Sequence, residues 1–183
     1  MKCINGKTIS DFCIGTGDLE VNYKEDYQTI ISRFEKFIEL GFNFFDTGSV
    51  YDNLRSIKIL SKLYKTNTGK IFLNNKFHPR CSSQKDIIND TENVLKLLNI
   101  DCIDMLQSHW PNLKLPIEEI IEAFMNLKKE GKIRFCGLSN PYKNILNNQS
   151  ILSNIDSLQL ETNIYENSLD LDFNKLVLGY SVL

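Results

Sequence analysis

The sequence predicts an α/β fold in which short parallel strands alternate with amphipathic helices. Three observations favour this class: short apolar runs recur along the 183 residues, helical periodicity fills the segments between them, and no low-complexity tract divides the chain. With 42% apolar and 24% charged residues, the composition is that of a globular protein. We therefore expect one domain over residues 1–183.

The first predicted element is a hairpin, and two strand–helix units follow it. Residues 2–4 and 8–10 flank Asn5-Gly6, a dipeptide typical of two-residue hairpin turns. The apolar runs and helical periods that come next predict a strand at 12–14, a helix at 27–40 ended by Gly41, a strand at 42–45 and a helix at 54–64.

The same unit continues through the second half of the chain. Pro116 opens a predicted helix whose first turn carries Glu118 and Glu119, as is typical of a helix N-terminus. Residues 164–174 are too short and polar for a full helix. The remaining patterns predict strands at 71–73, 102–106, 133–138, 158–160 and 176–178, and helices at 83–98, 116–130 and 141–152. Seven strands joined by crossover helices imply parallel pairing.

Two architectures have this alternation, an open doubly wound sheet and a (β/α)₈ barrel. The open sheet predicts a glycine-rich phosphate turn after its first strand, but Gly15-Thr16-Gly17 lacks the third glycine and no clear helix follows at once. The barrel predicts polar residues at the carboxyl ends of successive strands, where its active site lies. That pattern occurs here, as Asp46-Thr47, Lys76, His109-Trp110, Ser139-Asn140, Gln159 and Tyr180-Ser181.

The length of the chain modifies this prediction. A complete barrel takes about 250 residues, so we expect a TIM-barrel type fold that is incomplete, lacks the last βα unit and begins with a hairpin. The first and last strands would then leave unpaired edges. Such edges favour a homo-oligomer or a partner chain that completes the sheet.

Four polar residues near successive strand ends indicate a specific chemistry. The ammonium of Lys76 beside the phenol of Tyr51 would favour the phenolate and lower the tyrosine pKa, while Asp46 would hold the ammonium charged. His109 can hydrogen-bond a carbonyl oxygen. The set predicts a proton donor for a carbonyl oxygen that gains negative charge, and the hydride must come from a nicotinamide cofactor because no side chain supplies one. Singly, each residue has an ordinary structural explanation. Asp46-Thr47 could cap a helix and Tyr51 could pack in the core, while Lys76 could be a solvated strand end and His109 could bind a backbone carbonyl oxygen.

Several segments together resemble one known family. They are GFNFFDTGSVYDN, KIFLNNKF, IDMLQSHWP, FMNLKKEGKIRFCGLSN, LQLETNIY and LGYSVL, and they cover nearly the whole chain. In this combination they resemble the aldo-keto reductases, a family that reduces small aldehydes and ketones in the cytoplasm, usually with NADPH and in some cases with NADH.

The resemblance implies a role for each matching residue. Tyr51 would be the general acid, Lys76 paired with Asp46 would lower its pKa, and His109 would orient the substrate carbonyl. Substrate would contact Tyr51, His109 and Trp110. The residues implied in cofactor binding are Thr16, Asp46, Ser139, Asn140, Gln159 and Tyr180. The family binds the cofactor's pyrophosphate and 2′-phosphate with the region that this chain is expected to lack.

Other classes of function are disfavoured by composition. A net charge of −2 offers no basic excess for nucleic acid, and no apolar run is long enough to span a membrane. Five cysteines without a CxxC pair and only two histidines make a metal site improbable, which disfavours a metal-dependent barrel lyase or hydrolase. A catalytically inactive binding or regulatory module on the same fold is the remaining alternative.

Overall fold

The computed structural model describes residues 2–4, 6–17, 19, 26–112, 114–163 and 173–182. Its first element is an antiparallel hairpin of β1 (Lys2–Ile4) and β2 (Lys7–Ile9), as the sequence predicts. Asn5, the first residue of the predicted turn, lies outside the described residues, and Gly6 has a φ of +86°. A left-handed φ of this kind is what such turns require of glycine.

Seven further strands form a single parallel sheet in the order β3 to β9, and the sheet curls into a half-barrel. The strands are β3 (Cys13–Gly15), β4 (Phe44–Gly48), β5 (Phe72–Lys76), β6 (Ile103–Ser108), β7 (Ile133–Ser139), β8 (Ser157–Glu161) and β9 (Leu176–Tyr180). This arrangement confirms the predicted α/β class and the incomplete barrel, and it leaves β3 and β9 at the two edges of the sheet.

The helices pack against the outer face of this sheet. They are α1 (Tyr27–Glu39), α2 (Arg55–Thr66), α3 (Gln84–Leu98), α4 (Ile117–Lys129), α5 (Lys143–Leu146) and α6 (Gln149–Ser153), and a 3₁₀ turn, Tyr51–Leu54, precedes α2. Their ends follow local chemistry. Asp26 caps α1 by accepting a hydrogen bond from the Thr29 amide at 2.9 Å, and Gly41 after its end has a φ of +92°.

Several predicted elements differ from the structure. The strand predicted at 71–73 runs from Phe72 to Lys76. The strand predicted at 42–45 begins at Phe44 and continues to Gly48, so Asp46 lies within it. Pro116 occupies the cap position before α4 instead of its first turn. The helix predicted at 141–152 is divided into α5 and α6, because Asn148 leaves the helical conformation and its side chain caps the next helix at Ile151. Residues 164–172 lie outside the described residues.

The core has two layers, and the inner one supports the site. Phe44, Phe72, Met105 and Phe135 fill the interior of the half-barrel near the amino-terminal ends of its strands, and Ile9 of the hairpin packs against them. The rings of Phe44 and Phe72 meet edge to face with centroids 5.1 Å apart. The hairpin therefore covers one end of the interior, and the polar residues further along the strands lie towards the other.

A belt of buried hydrogen bonds crosses the interior above this apolar layer. Asn74 donates to Asp46 at 2.6 Å and to Gln107 at 2.7 Å, and Gln107 donates to the Ser157 hydroxyl at 2.9 Å. Gln107 and Ser157 lie on β6 and β8, with Gly137 of β7 between them. Because Gly137 has no side chain, the amide of Gln107 can reach Ser157 across β7.

Gly137→Ala is therefore expected to lower the free energy of unfolding by about 3 kcal/mol, measured by urea denaturation. A Cβ atom at Gly137 would lie 2.0 Å from the Ser157 hydroxyl oxygen and 2.5 Å from its carbonyl oxygen. Gly15→Ala is the matched control, since a Cβ atom there meets nothing within 4 Å. Equal stability of the two variants would contradict the proposed role of Gly137.

Candidate active site

A cavity of about 130 Å³ opens at the carboxyl ends of the strands. It is lined by Asp46, Tyr51, Lys76, His109, Trp110, Ser139, Asn140, Gln159 and Tyr180. Every residue that the sequence singles out for the site, with the exception of Thr16, thus lies around one space. Parallel strands end at the same rim of a barrel, so residues far apart in sequence meet there.

Thr16 lies beside the cavity and has a different set of contacts. It is fully buried, and both its amide and its hydroxyl donate to the carbonyl oxygen of Asp46 at 3.0 Å. Its own carbonyl oxygen accepts from the Ser56 hydroxyl at 2.8 Å. Thr16 therefore holds the backbone of Asp46, and its contact with a cofactor remains a prediction.

The centre of the site is a buried ion pair between Lys76 and Asp46. Lys76 is 3% exposed, its Nζ contacts Oδ2 of Asp46, and the same Nζ lies 3.5 Å from the Tyr51 hydroxyl. Burial disfavours the ammonium, but the charge of Asp46 and the neighbouring Tyr51 outweigh it, so the pKa of Lys76 is raised. The ammonium is therefore fully charged at neutral pH and faces the phenol.

Asn74 is a site residue that the sequence interpretation missed. It donates to Oδ1 of Asp46, while Lys76 occupies Oδ2, so both carboxylate oxygens are engaged. The period-two alternation of a strand places Asn74 on the same face as Lys76, two residues later. That alternation is the one sequence feature that could have indicated it.

His109 packs against the ring of Tyr51. Its ring meets the Tyr51 ring edge to face at 5.1 Å and stacks on Trp110 at 6.2 Å. Burial, followed by the charge of Lys76, lowers the pKa of His109 to about 4. The imidazole is thus neutral at physiological pH. Its Nδ1 is buried and has no hydrogen-bond partner among the described residues, so it is free to bind a ligand.

This lowered pKa predicts a pH-dependent stability. Between pH 6.5 and 4 an unfolded chain protonates this histidine while the folded chain does not, so the free energy of unfolding falls as the pH is lowered. In His109→Gln, we expect the free energy of unfolding to decrease by about 2 kcal/mol less over this pH range than it does in the unaltered chain, after allowance for partial solvent screening. Urea denaturation at pH 7 and pH 4.5 measures it. An unchanged slope in His109→Gln would contradict the assignment.

The other side of the cavity presents amides and hydroxyls. Tyr180 donates to the side-chain oxygen of Asn140 at 2.9 Å, and Asn140 in turn donates to the Ser139 hydroxyl at 3.2 Å. Asn140 adopts a φ of +51°, a conformation that asparagine tolerates well. Oε1 of Gln159 is buried and has no partner within the described part of the chain.

These groups fit the nicotinamide end of a dinucleotide. A carboxamide carries two donors and one acceptor. The unpartnered Oε1 of Gln159 can accept from its amide, while the Ser139 hydroxyl and the Asn140 amide can donate to its oxygen. Tyr180 supplies an aromatic ring at the same wall. The residues present therefore match the cofactor class that the sequence predicts.

Asp90 of α3 is a second residue that sequence reasoning missed. Its carboxylate accepts from the Ser49 hydroxyl at 2.7 Å and from the His78 amide at 3.2 Å. Ser49 precedes Tyr51 by two residues and His78 follows Lys76 by two, so Asp90 joins the two loops that carry them. Nothing in its local sequence marks it, because the contact depends on how α3 packs.

None of the helices in the described residues has both the length and the apolar character that crossing a membrane requires. No group of three or more histidine, cysteine, aspartate or glutamate side chains in these ranges is arranged to hold a metal ion.

Known proteins resemble the chain in sequence and fold. The uncharacterized oxidoreductase YqkF of Bacillus subtilis is 28% identical over 171 residues, which cover 84% of this chain and 56% of YqkF. The thermostable aldo-keto reductase Tm1743 superposes with a TM-score of 0.79 at 25% identity, covering 88% of this chain and 61% of Tm1743. The Bombyx mori aldo-keto reductase AKR2E4 shares the fold, with a TM-score of 0.80 at 20% identity. That superposition covers 96% of this chain and 64% of AKR2E4.

In each of these comparisons the chain spans less than two thirds of the relative's own length. The family model, by contrast, matches nearly all of the chain, from residue 11 to residue 176. With Asp46, Tyr51, Lys76 and His109 gathered at the carboxyl rim of a parallel half-barrel, this match shows that the chain belongs to the aldo/keto reductase family.

Proposed function

We propose that this chain carries the catalytic centre of an NADPH-dependent reductase of small aldehydes or ketones. The observation that carries the proposal is the position of Lys76, whose buried Nζ contacts both the Asp46 carboxylate and the Tyr51 hydroxyl. A phenol beside a fixed ammonium and a neutral imidazole is arranged to give a proton to an oxygen that gains negative charge.

Each residue has one task in this scheme. Tyr51 donates its hydroxyl proton to the substrate's carbonyl oxygen, and the Lys76 ammonium stabilises the phenolate that remains. Asp46, held by Asn74, keeps that ammonium in place. His109 is neutral, so it can donate a hydrogen bond to the carbonyl oxygen without adding a second positive charge beside Lys76. Trp110 forms the adjoining wall of the substrate space.

The cofactor supplies a hydride to the carbonyl carbon when it is bound. We assign its carboxamide to Ser139, Asn140 and Gln159, and its ring to the face of Tyr180. Thr16 and Asp46 complete the predicted contacts. The preference for NADPH over NADH rests on the family resemblance and forms part of the proposal.

The setting of the protein is also proposed. We take residues 1–183 as one domain that acts in the cytoplasm on a small carbonyl substrate. Because β3 and β9 are the edges of the sheet, they offer backbone groups to a second copy or to a completing strand. Light scattering of the purified chain over a range of concentrations would detect self-association.

The direct test is a titration of the chain with NADPH and, separately, NADH, followed by cofactor fluorescence. We expect saturable binding of both cofactors, through the contacts to their shared nicotinamide end, and turnover of simple aldehydes. Gln159→Leu should weaken binding about tenfold, because a buried hydrogen bond to the carboxamide is lost. Gln149→Leu, at an exposed position of α6, is the matched control.

The outcomes separate the proposal from its alternative. Very weak NADPH binding without turnover of any aldehyde or ketone would favour the non-catalytic binding or regulatory module, and micromolar cofactor affinity would count against it. Absence of binding for both cofactors would contradict the cofactor assignment altogether.

A further inference from the structure

A second cavity, of about 220 Å³, lies next to the candidate active site. It lies between β7, α4, α5 and residues 110–112 and 115. Most of its lining is aliphatic or aromatic, with Leu115, Ile120, Leu138, Ile145, Trp110 and Tyr142 among the contributors. The reductase scheme gives this space no role, since only Trp110 and Ser139 belong to both cavities.

The lining excludes charged ligands. None of the described residues that line this cavity is acidic or basic, so an ion that entered it would lose water without gaining a partner there. Asn112 carries the one side-chain amide in that lining, and its polar atoms are engaged: its nitrogen donates to the carbonyl oxygens of Pro79 and Cys81, and its oxygen accepts from the Lys114 amide. The cavity therefore favours a neutral molecule.

Two hydroxyls provide the polar contacts that remain. The Ser108 oxygen accepts from the Ser139 amide at 3.3 Å, and the Ser139 oxygen accepts from Asn140 at 3.2 Å. Among the described residues, neither hydroxyl has an acceptor for its own proton. Because the Ser139 hydroxyl is assigned to the cofactor, the Ser108 hydroxyl is the one that can donate its proton to an acceptor atom on a molecule in this cavity.

The volume indicates the size of the group that the cavity can surround. An apolar cavity of about 150 Å³ accommodates benzene, while drug-sized ligands occupy pockets of at least about 300 Å³. A space between these values suits one ring with a small substituent. The rings of Trp110 and Tyr142, together with Pro111 and Pro141, offer the flat surfaces against which an aromatic ring packs well.

We propose that this cavity is a binding site for a neutral monocyclic aromatic molecule that carries one hydrogen-bond acceptor, such as an aryl ether. Its ring would pack between Ile145, Leu138 and Trp110, and its acceptor would face Ser108. Because Trp110 stacks on His109, occupancy would be transmitted to the wall of the candidate active site. The assignment does not depend on the proposed reductase activity.

The test uses anisole, which has no carbonyl group and cannot be reduced by the proposed chemistry. Trp110 is the only tryptophan of the chain and lines both cavities, so its fluorescence reports anisole bound in either one, and a second measurement must locate the ring. We expect a saturable change in fluorescence with anisole and at least tenfold weaker binding of benzoate, its charged counterpart. In methyl-labelled protein, nuclear Overhauser effects should connect the anisole ring to Ile145 and Leu138.

Three variants sharpen the test. Ile145→Phe fills the cavity and should weaken anisole binding at least tenfold, whereas Ile121→Phe, on α4 outside the cavity lining, should not. Ser108→Ala should weaken anisole but leave toluene, which lacks an acceptor, unchanged. Should Ile145→Phe fail to fold, the Overhauser contacts of the unaltered chain decide the question.

Several results would overturn the proposal. One is a fluorescence response to anisole that does not saturate. Another is anisole binding by the Ile145→Phe variant that is as tight as in the unaltered chain. A third is a set of Overhauser contacts from anisole to the Tyr51 and His109 rings alone. The last of these would place anisole in the candidate active site. Absence of reductase activity would leave all of these readouts unaffected.

Discussion

Tyr51→Phe is expected to lower the rate of carbonyl reduction by about 10²- to 10⁴-fold, the usual contribution of a general acid. The substitution removes only the hydroxyl oxygen. The ring keeps its contact with His109 and its place beside Gly17, where an added Cβ atom would lie 3.4 Å from the ring. Cofactor binding should therefore change by less than about twofold, since the carboxamide contacts lie elsewhere.

The measurement compares steady-state rates with a simple aldehyde against the affinity for NADPH from fluorescence titration. Tyr27→Phe is the matched control: Tyr27 lies on α1, where Arg55 and Lys62 approach its ring, and takes no part in the cavity. Turnover that survives Tyr51→Phe unchanged would remove Tyr51 as the acid. A parallel loss of cofactor affinity would mean that the phenol serves binding instead.

Lys76→Met should lower the free energy of unfolding by about 3–5 kcal/mol, the usual cost of removing one partner of a buried ion pair. Asp46 is 8% exposed, so its carboxylate would lose its counter-charge without gaining water. The hydrogen bond from Asn74 remains but supplies no net charge. Urea denaturation at pH 7 measures the change and requires no enzymatic activity.

The double variant Asp46→Asn with Lys76→Met tests the cause of this loss. It removes both charges, so it should be more stable than Lys76→Met alone, with most of the deficit recovered. Lys62→Met, on the surface of α2, should cost less than about 1 kcal/mol. If Lys62→Met and Lys76→Met lowered the free energy of unfolding by similar amounts, the buried ion pair would not be the cause of the loss.

Local patterns determined much of the fold. The boundaries of α1 follow from Asp26 and Gly41, and the alternation of apolar runs with helical periods located every strand of the sheet. These features depend on neighbouring residues, so they can be read along the chain. The sequence also identified four residues of the site, because parallel strands place their carboxyl ends at one rim. They are Asp46, Tyr51, Lys76 and His109.

What the sequence alone determined is thus the order of the elements and the identity of the residues at that rim. The tertiary structure decided the contacts that support them. Asn74 joins Asp46 to Gln107, and Gln107 reaches Ser157 across Gly137. Asp90 joins two loops, and the second cavity lies beside Trp110. The physical reason is that such contacts depend on strand register and helix packing between distant segments. No local pattern of apolar and polar residues encodes either one.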